Sequence, residues 1–307
     1  MLGCGRAHPD QRLTNADLEA RLDTSDQWIR DRTGIHSRWI GGTTTQLSAD
    51  AARLALAAAG VTAAELGTIV VATSTPDRII PSTAALVARE LGSTAGTFDV
   101  NGACAGFVYA LGSAAGWVGL TGKPALVIGA DVMSRIVDPD DRGTAILFGD
   151  GAGALVIGPA GAAGTETIDS ALLALHSGTD GATVEILECR SGAFLSMEGQ
   201  AVFKIAVRAA VDSITTALIA AGLTAADIGL FVPHQANERI TRSIAQRLGL
   251  GPDQVVSTLA DTGNSSAATI PYALSVADEH GRIERGAIVV LCGFGAGMTW
   301  STAVLRW

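Results

Sequence analysis

Two patterns of apolar and polar positions alternate along the chain. Short apolar runs, such as GTFDV at 96–100 and GLFV at 229–232, are typical of buried strands. Other segments place apolar residues at helical spacing, as in AGFVYAL at 105–111 and ERITRSIAQRLGL at 238–250. The order helix, short turn, buried strand, loop, helix, buried strand predicts an α/β protein with a mainly parallel sheet covered by helices.

The two halves of the chain repeat this order. The stretch LALAAAGVTAAELGTIVVATST (54–75) aligns with ALIAAGLTAADIGLFVPHQAN (217–237) at a shift of 162 positions. The same shift aligns PALVIGADVM (124–133) with GAIVVLCGFG (286–295) and sets Cys104 against Ser266. We therefore predict equivalent halves at 1–160 and 161–307, joined by a Gly/Ala-rich stretch at 158–169. Their equivalent sheets should lie side by side, so that loops leaving equivalent strand ends converge on a ligand site.

Composition narrows the class of protein. The chain has 307 residues, enough for about two domains, and it is 48% hydrophobic but only 5% aromatic. Such apolar mass, mostly Ala, Val, Leu and Ile, suits helices packed closely on strands. A formal charge of −9 argues against a nucleic-acid surface, because duplex binding needs a dense basic face.

The spacing of the cysteines indicates whether the protein binds metal or forms disulfides, and the first residues indicate its cellular compartment. The four cysteines are far apart, with neither a C-x-x-C pair nor a histidine at ligand spacing, which predicts no zinc site and no disulfide framework. The opening MLGCGRAHPDQR lacks the apolar core of a signal peptide, and we find no apolar run near the roughly 18 residues of a membrane span. We expect a cytoplasmic protein with no metal, no cofactor and no membrane partner.

Cys104 is the first candidate for chemistry, because it lies where DVNGACAGFVYAL (99–111) changes from a strand pattern to a helix pattern. A thiol at a helix N-terminus is near free backbone N–H groups, which lower its pKa and favour the thiolate. The alternative is a buried structural cysteine, since cysteine is among the most buried residue types. This stretch by itself leaves the two interpretations equal.

Two further loops carry side chains that could join Cys104. His234, in VPHQAN, follows a strand, and a lone histidine there is usually a loop or core residue. Asn264, in DTGNSSAATIP, precedes a helix, where Asn is an ordinary cap. The glycine-rich loop GFGAG (293–297) could bring backbone amides close to a reacting oxygen.

Together these loops suit acyl transfer through a thioester. A cysteine thiolate attacks an acyl thioester, and backbone N–H groups stabilise the tetrahedral oxyanion. A histidine and an asparagine that both donate to one carbonyl oxygen could stabilise an enolate, so that a malonyl thioester loses CO₂ without a metal.

The segments NGACAGF, PHQAN, TGNSSAATIP and GFGAGMTW resemble the β-ketoacyl-acyl-carrier-protein synthase III family of the thiolase fold, and the similarity covers nearly the whole chain. The resemblance implies a layered αβαβα architecture of two pseudo-symmetric halves. It also implies an acyltransferase that takes an acyl group from acyl-CoA and condenses it with malonyl-acyl carrier protein to start fatty acid synthesis. Family members are homodimers, and acyl-CoA is a substrate, not a cofactor.

The resemblance implies roles for named residues. Cys104 would carry the acyl group, while His234 and Asn264 would promote decarboxylation. The backbone amides of Cys104 and of the Gly295–Ala296 region would form the oxyanion hole, with Phe294 beside the cysteine. Three further sets follow from matching positions: Trp28 and Arg142 as a sandwich for the adenine ring; Arg32, Lys204, Asn237 and Arg239 along the coenzyme channel; and Arg239, Arg242 and Arg247 as a dock for the acidic carrier protein.

Two positions and one segment differ from the family pattern or lie where the family's substrate preference is set. His36 stands where family members often have a second basic residue, which would weaken contact with the coenzyme phosphates. Ile80 matches a position that reaches the partner subunit's acyl pocket, and its small size implies room for longer or branched primers. The compact segment at 176–200 lies in the region that shapes the acyl pocket in this family.

Three rival interpretations remain at this point. A priming ketosynthase or acyltransferase of polyketide or other secondary metabolism could keep Cys104 and His234 with another acceptor, although Asn264 favours decarboxylation. The glycine runs GDGAG (149–153) and GFGAG could suggest a dinucleotide site, but they lack the G-x-G-x-x-G spacing. A silent partner of a true synthase is the third, and the intact Cys, His and Asn set speaks against it.

Overall fold

The computed structural model describes residues 1–159 and 171–307. The junction predicted at 158–169, apart from its first two residues, and the boundary between the predicted halves lie outside the described residues. The strands are β1 (Gly3–Ala7), β2 (Gln11–Thr14), β3 (Ser37–Ile40), β4 (Thr68–Ala72), β5 (Gly96–Val100), β6 (Ala125–Val132), β7 (Asp150–Ile157), β8 (Ala171–Thr179), β9 (Leu187–Glu188), β10 (Ser196–Met197), β11 (Leu230–Pro233), β12 (Ile288–Gly295) and β13 (Thr299–Arg306). The helices are α1 (Asn15–Glu19), α2 (Asp26–Thr33), α3 (Thr44–Ala59), α4 (Thr83–Leu91), α5 (Gly106–Thr121), α6 (Arg142–Ala145), α7 (Gly199–Ala220), α8 (Glu238–Leu248), α9 (Leu259–Thr262) and α10 (Thr269–Glu279).

Two sheets form the framework. The first has the order β1-β7-β6-β4-β5, and the second has the order β11-β12-β13-β8. The pairs β4–β5, β4–β6 and β11–β12 are parallel, whereas β1–β7, β6–β7, β12–β13 and β13–β8 are antiparallel. The prediction of a mainly parallel sheet is therefore wrong. In the second half a tight turn at 296–298 joins β12 directly to β13, as an antiparallel pair allows. In the first half residues 133–149, which include α6, lie between β6 and β7, and these two strands also pair antiparallel.

Three apolar clusters define five layers. Helices α3 and α4 pack on the outer face of the first sheet, and α7 and α8 pack on the outer face of the second. Helices α5 and α10 lie between the sheets, where their apolar residues contact β4 and β6 on one side and β11 and β12 on the other. The predicted αβαβα arrangement is present. The sheets are stacked across this helical layer, not side by side, because α5 and α10 are apolar all round and need a sheet on each side.

The repeat is visible in the structure, with one correction to its alignment. A 3₁₀ turn at Ala103–Ala105 precedes α5, and an equivalent turn at Ser266–Ala268 precedes α10. Their first residues, Ala103 and Ser266, both have positive φ, of 45° and 52°. Cys104 is thus equivalent to Ala267, not to Ser266. One extra residue in the second half shifts everything after it, so that β6 matches β12 from Ala125 and Ile288 onward.

One helical stretch is long and apolar, contrary to the expectation that no apolar run approaches the length of a membrane span. Residues Ala103–Thr121 are long and apolar enough to pass a length-and-composition test for a membrane-spanning helix, and half of the window is buried inside the protein. Alanine, valine and leucine supply much of this apolar character. The stretch contains α5, one of the two helices between the sheets, and the apolar side chains of α5 pack in the core there.

Candidate active site

Cys104 lies at the junction of β5 and α5. The preceding residue, Ala103, adopts the left-handed region, which costs a non-glycine residue about 1–3 kcal/mol and marks a turn that the surrounding structure imposes. The thiol is 8% exposed and lines a cavity. The sequence prediction that Cys104 starts a helix is confirmed, with a 3₁₀ turn as the first element.

The electrostatic prediction for this thiol is wrong. Burial raises the pKa of Cys104 to about 12, and hydrogen bonding from the Ser266 side chain opposes the rise. The negative charge of Asp131 adds to the increase. The helix N-terminus is present, but removing the sulfur from water outweighs its effect. The resting group is a neutral thiol that must lose its proton as it reacts.

His234 follows β11, the strand predicted to carry it. Its backbone N–H donates to the carbonyl of Cys292 at 2.8 Å, which continues the β11–β12 ladder by one residue. The ring packs edge-on against Phe294, with centroids 5.2 Å apart, and its Nδ1 lies 2.7 Å from the Thr269 hydroxyl. Burial lowers the pKa of His234 to about 3, so the imidazole is neutral at neutral pH.

Asn264 is held by contacts from the first half of the chain. Its N–H donates to the carbonyl of Leu147 at 2.9 Å, and its carbonyl accepts from Gly149 at 3.0 Å. Its side-chain Oδ1 accepts from the backbone N–H of Ser266 at 2.9 Å, which is the local turn bond that the cap interpretation expected. Because Oδ1 is the acceptor, the amide orientation is assigned and Nδ2 is left as a donor.

The end of β12 comes very close to the backbone of the Cys104 turn. A Cβ added to Gly295 would lie 2.7 Å from the Cys104 nitrogen, and one added to Gly293 would lie 2.7 Å from the Ala105 Cα. Neither position can carry a side chain without moving backbone. The close approach predicted for GFGAG is confirmed at these two glycines.

A single cavity of about 620 Å³ joins these parts. Cys104, His234 and Asn264 all line it, although they come from three separate loops. Phe294 and Gly295 line it as well, whereas Ala296 follows the end of β12 and is not among the lining residues. The segment 176–200 contributes Leu187, Met197, Gly199 and Gln200, as the resemblance implied. The remaining wall is mainly apolar and includes Ile146, Leu147, Phe148, Val202, Phe203, Ile240 and Met298.

The residues assigned to the coenzyme surround the cavity or its mouth. Trp28, Arg32, Lys204, Asn237 and Arg239 line it. Arg142 stacks on the Trp28 ring, with its guanidinium carbon 4.9 Å from the ring centroid, and donates to the carbonyl of Asp23 at 2.8 Å. A flat ring between two flat groups needs about 7 Å, twice the van der Waals spacing. The space between Trp28 and Arg142 is therefore closed in this structure, and the adenine ring expected there would fit only if Arg142 moved by roughly 2 Å.

The other predicted basic residues lie outside. Arg242 and Arg247 are exposed on α8, the helix that also carries Arg239. Asn237 caps α8: its Oδ1 accepts from the Arg239 N–H, and its Nδ2 donates to the carbonyl of Arg32. His36 is exposed and is not among the cavity-lining residues.

Two buried polar residues beside the site were not predicted from the sequence. Asp131, on β6, has no exposed surface and accepts hydrogen bonds from backbone and hydroxyl groups of both halves. Its signal was an acidic residue inside the apolar run ALVIGADVM. Thr269 contacts His234 and lies within the quoted motif TGNSSAATIP, but threonine next to a helix start has too many ordinary roles to single it out.

Within residues 1–159 and 171–307, no group of three or more His, Cys, Asp and Glu side chains is arranged to hold a metal ion. All four cysteines are free, and Cys189 is the exposed one.

Comparison with known proteins places this geometry in a family. Residues 98–184 match the family model described as 3-Oxoacyl-[acyl-carrier-protein (ACP)] synthase III, and residues 218–307 match its C-terminal model. The chain is 48% identical to the beta-ketoacyl-[acyl-carrier-protein] synthase III of Rhodobacter capsulatus, over 99% of this chain and 98% of that protein.

Solved structures agree with the sequence matches. The 3-oxoacyl-[acyl-carrier-protein] synthase III of Aquifex aeolicus VF5 superposes with a TM-score of 0.95 at 38% identity, over 100% of this chain and 99% of the other. The priming β-ketosynthase of the R1128 polyketide pathway superposes with a TM-score of 0.91 at 37% identity, over 99% and 95% of the two chains. With its thiolase-like fold and its matches over almost the full length, this chain belongs to the β-ketoacyl-[acyl-carrier-protein] synthase III family of condensing acyltransferases.

Proposed function

We propose that this chain initiates fatty acid synthesis by moving an acyl group from acyl-CoA to Cys104 and condensing it with malonyl-acyl carrier protein. The single observation that carries the assignment of residues is that Cys104, His234 and Asn264 line one cavity whose mouth is basic. Family membership supports the reaction type, and the cavity supports the residues that perform it.

In the first step the Cys104 sulfur attacks the thioester carbonyl of acyl-CoA. The C–S bond to the coenzyme breaks. The Cys104 thiol loses its proton, and the coenzyme leaves as a thiol that carries one. The oxyanion of the tetrahedral intermediate is stabilised by the backbone N–H of Cys104 and by an N–H of the turn after Gly295, which the absence of a side chain at that glycine brings within reach.

In the second step malonyl-acyl carrier protein loses CO₂. The carbon–carboxylate bond breaks, and its electron pair forms an enolate at the malonyl thioester, whose oxygen accepts from Asn264 Nδ2 and His234. The enolate carbon then attacks the acyl group, and the Cys104 sulfur leaves and takes up a proton. The neutral ring of His234 and the free Nδ2 of Asn264 support this division of roles.

Substrate binding uses the residues at the mouth of the cavity. Adenine enters between Trp28 and Arg142 once Arg142 moves away from the ring. Arg32, Lys204 and Arg239 place positive charge beside the phosphates and the pantetheine arm. Arg242 and Arg247, exposed on α8 near this mouth, steer the acidic carrier protein in an otherwise acidic chain.

We also propose a cytoplasmic homodimer. Ile79 and Ile80 are 97% and 84% exposed on the segment before α4, and β5 forms the edge of its sheet. Exposed apolar side chains and an open strand edge are features that a partner subunit covers. Free cysteines in all four positions agree with a reducing compartment.

The second candidate is a priming ketosynthase or acyltransferase of secondary metabolism. The structural similarity to the R1128 priming ketosynthase supports this candidate, so the experiment below also tests it. The donor left free on Asn264 favours decarboxylative condensation, since acyl transfer to oxygen or nitrogen has no enolate to stabilise.

The test is acylation followed by condensation. The protein is incubated with acetyl-CoA, branched and longer acyl-CoAs, and the adduct is measured by intact mass. We expect an adduct that is lost in Cys104→Ala and kept in Cys189→Ala, the matched control for an exposed thiol. Added malonyl-acyl carrier protein should then release CO₂. An adduct on Cys189 alone, or none from any primer, would contradict the assignment. Acylation without CO₂ release would favour the acyltransferase alternative.

A further inference from the structure

Thr269 lies directly behind the His234 ring. It is the first residue of α10 and is 1% exposed, and its Oγ1 lies 2.7 Å from His234 Nδ1. His234 is itself 2% exposed. Two polar groups buried this deeply must satisfy each other, because an unpaired buried donor or acceptor costs about 1–3 kcal/mol.

The Thr269 hydroxyl must direct its hydrogen to one of two neighbours. The Thr269 hydroxyl has one hydrogen and two acceptors within reach, His234 Nδ1 at 2.7 Å and the carbonyl oxygen of Ser266 at 2.9 Å. That carbonyl already accepts the backbone N–H of Thr269. We assign the hydroxyl hydrogen to Nδ1, because that contact is the shorter of the two and the Ser266 carbonyl has another donor. In the opposite arrangement Nδ1 would carry the hydrogen and donate to the hydroxyl, which would donate to the Ser266 carbonyl.

The same turn orients both side chains proposed to hold the enolate oxygen. Ser266 donates its N–H to Asn264 Oδ1, which leaves Asn264 Nδ2 as a donor. Ser266 and Thr269 are in turn joined by the hydrogen bond from the Thr269 backbone N–H to the Ser266 carbonyl. A rigid turn of six residues, 264–269, can thus set two donor directions at once.

We propose that Thr269 is a positioning residue: its hydroxyl donates to Nδ1 and holds neutral His234 as the Nε2–H tautomer, so that Nε2 donates to the malonyl thioester oxygen. The inference rests on the proposed decarboxylation and adds the group that makes a neutral histidine a donor in it. With the opposite tautomer, Nε2 would turn a lone pair toward an oxygen that is gaining negative charge. Such a contact would oppose the enolate.

The experiment compares the wild-type protein with Thr269→Val, which has the same shape without the hydroxyl, and Thr269→Ser, which keeps it. Histidine labelled with ¹⁵N reports the tautomer directly, and a His234→Gln sample identifies the His234 signals. In the wild type we expect a protonated Nε2 and an unprotonated Nδ1. In Thr269→Val we expect a mixture of the two tautomers or the reverse one.

Kinetics supply the second measurement. For Thr269→Val we expect kcat for condensation to fall about 10–100-fold, as when the partner of an essential histidine is removed. KM for malonyl-acyl carrier protein and the rate of Cys104 acylation should stay within about twofold, because the lost interaction acts only on the enolate step. Thr269→Ser should recover most of the loss. Acylation also shows that the variants are folded.

Four results would overturn the proposal: a wild-type His234 protonated on Nδ1, a Thr269→Val variant that condenses normally, a Thr269→Ser variant as slow as Thr269→Val, or equal losses of acylation and condensation. Failure of the proposed function is a different result, since it requires that the wild-type protein form no acyl-enzyme or release no CO₂.

Discussion

The carboxylate of Asp131, on β6 of the first half, accepts a 3.0 Å hydrogen bond from the backbone N–H of Ala267 in the second half. Ala267 is the repeat equivalent of Cys104, so the same turn position binds an internal carboxylate in one half and carries the nucleophile in the other. The other carboxylate oxygen accepts from the end of β4, where its donors are Thr73 Oγ1, Ser74 N, Thr75 N and Thr75 Oγ1. Asp131 therefore ties the turn after Asn264 to the first sheet.

Asp131→Asn should destabilise the protein and misplace Asn264. An amide has one acceptor oxygen, so it leaves part of this donor set unpaired, at about 1–3 kcal/mol for each buried group. We expect a lower midpoint of urea unfolding and a condensation rate reduced more than the acylation rate.

Asp150→Asn is the matched control for Asp131→Asn. Asp150 is also a buried carboxylate, and it accepts from Gly41 and Ser134, which are not among the cavity-lining residues. The Asp150→Asn variant should be less stable than the wild type, but the ratio of its condensation rate to its acylation rate should be unchanged. If both variants change this ratio equally, the link from Asp131 to the site is wrong.

Asn264→Asp tests the donor assigned to this side chain. Aspartate keeps the shape and the oxygen that accepts from Ser266, but it lacks the Nδ2 hydrogens. We expect condensation to fall by about 10²–10³-fold, the usual effect of removing one oxyanion donor. Acylation of Cys104, followed by intact mass, should survive. Loss of both steps to the same extent would contradict a role confined to the enolate.

The raised pKa of Cys104 predicts how its reactivity depends on pH. With a pKa of about 12, the thiolate fraction rises with pH throughout the accessible range. In a Cys189→Ala background, alkylation of Cys104 by iodoacetamide should accelerate about tenfold per pH unit between roughly pH 7 and 10. A rate that levels off below pH 8 would show that the helix N-terminus, not burial, controls this thiol.

Trp28→Ala should weaken coenzyme binding. Removing one face of the adenine site costs about 1–3 kcal/mol, on the scale of base stacking on an aromatic side chain. We expect KM for acyl-CoA to rise about tenfold with kcat for condensation unchanged, and Trp28→Phe to lie between the two proteins. The arrangement proposed for Trp28 and Arg142 fails if Trp28→Ala changes kcat and leaves KM as it was.

His234 should make the folded protein sensitive to acid. Its pKa is about 3 when folded and about 6.5 when unfolded, so the unfolded chain binds the extra proton between these values. The free energy of unfolding should therefore fall as the pH drops below about 6.5, at up to roughly 1.4 kcal/mol per pH unit for this group. Above about pH 6.5 the ring is neutral in both the folded and the unfolded state, so His234 causes no loss of stability there.

His234→Gln removes that contribution to the acid sensitivity, because glutamine does not titrate. Urea unfolding measured between pH 7 and pH 4 should show a smaller loss of stability than in the wild type. His280→Gln, at an exposed histidine, is the control and should keep the wild-type slope. Identical slopes in all three proteins would mean that His234 is not buried in the neutral form.

The sequence by itself determined the elements and the loops that carry the chemistry. Strand and helix periods depend on residues that are neighbours in the chain, so β5, β11 and α8 were predicted close to their observed bounds, and the repeat pointed to the loops of Cys104, His234 and Asn264. A motif also specifies residue types at fixed spacing, which is why the family was recognisable from NGACAGF, PHQAN and TGNSSAATIP.

Tertiary structure decided how those parts act. The stacking of the sheets across α5 and α10, and the antiparallel pairs beside the parallel ones, depend on contacts between distant segments. The pKa of Cys104 went against the local prediction because desolvation is set by everything packed around a group, not by the helix it starts. For the same reason Asp131 and Thr269, which reach the site from β6 and α10, became visible only when the two halves were folded together.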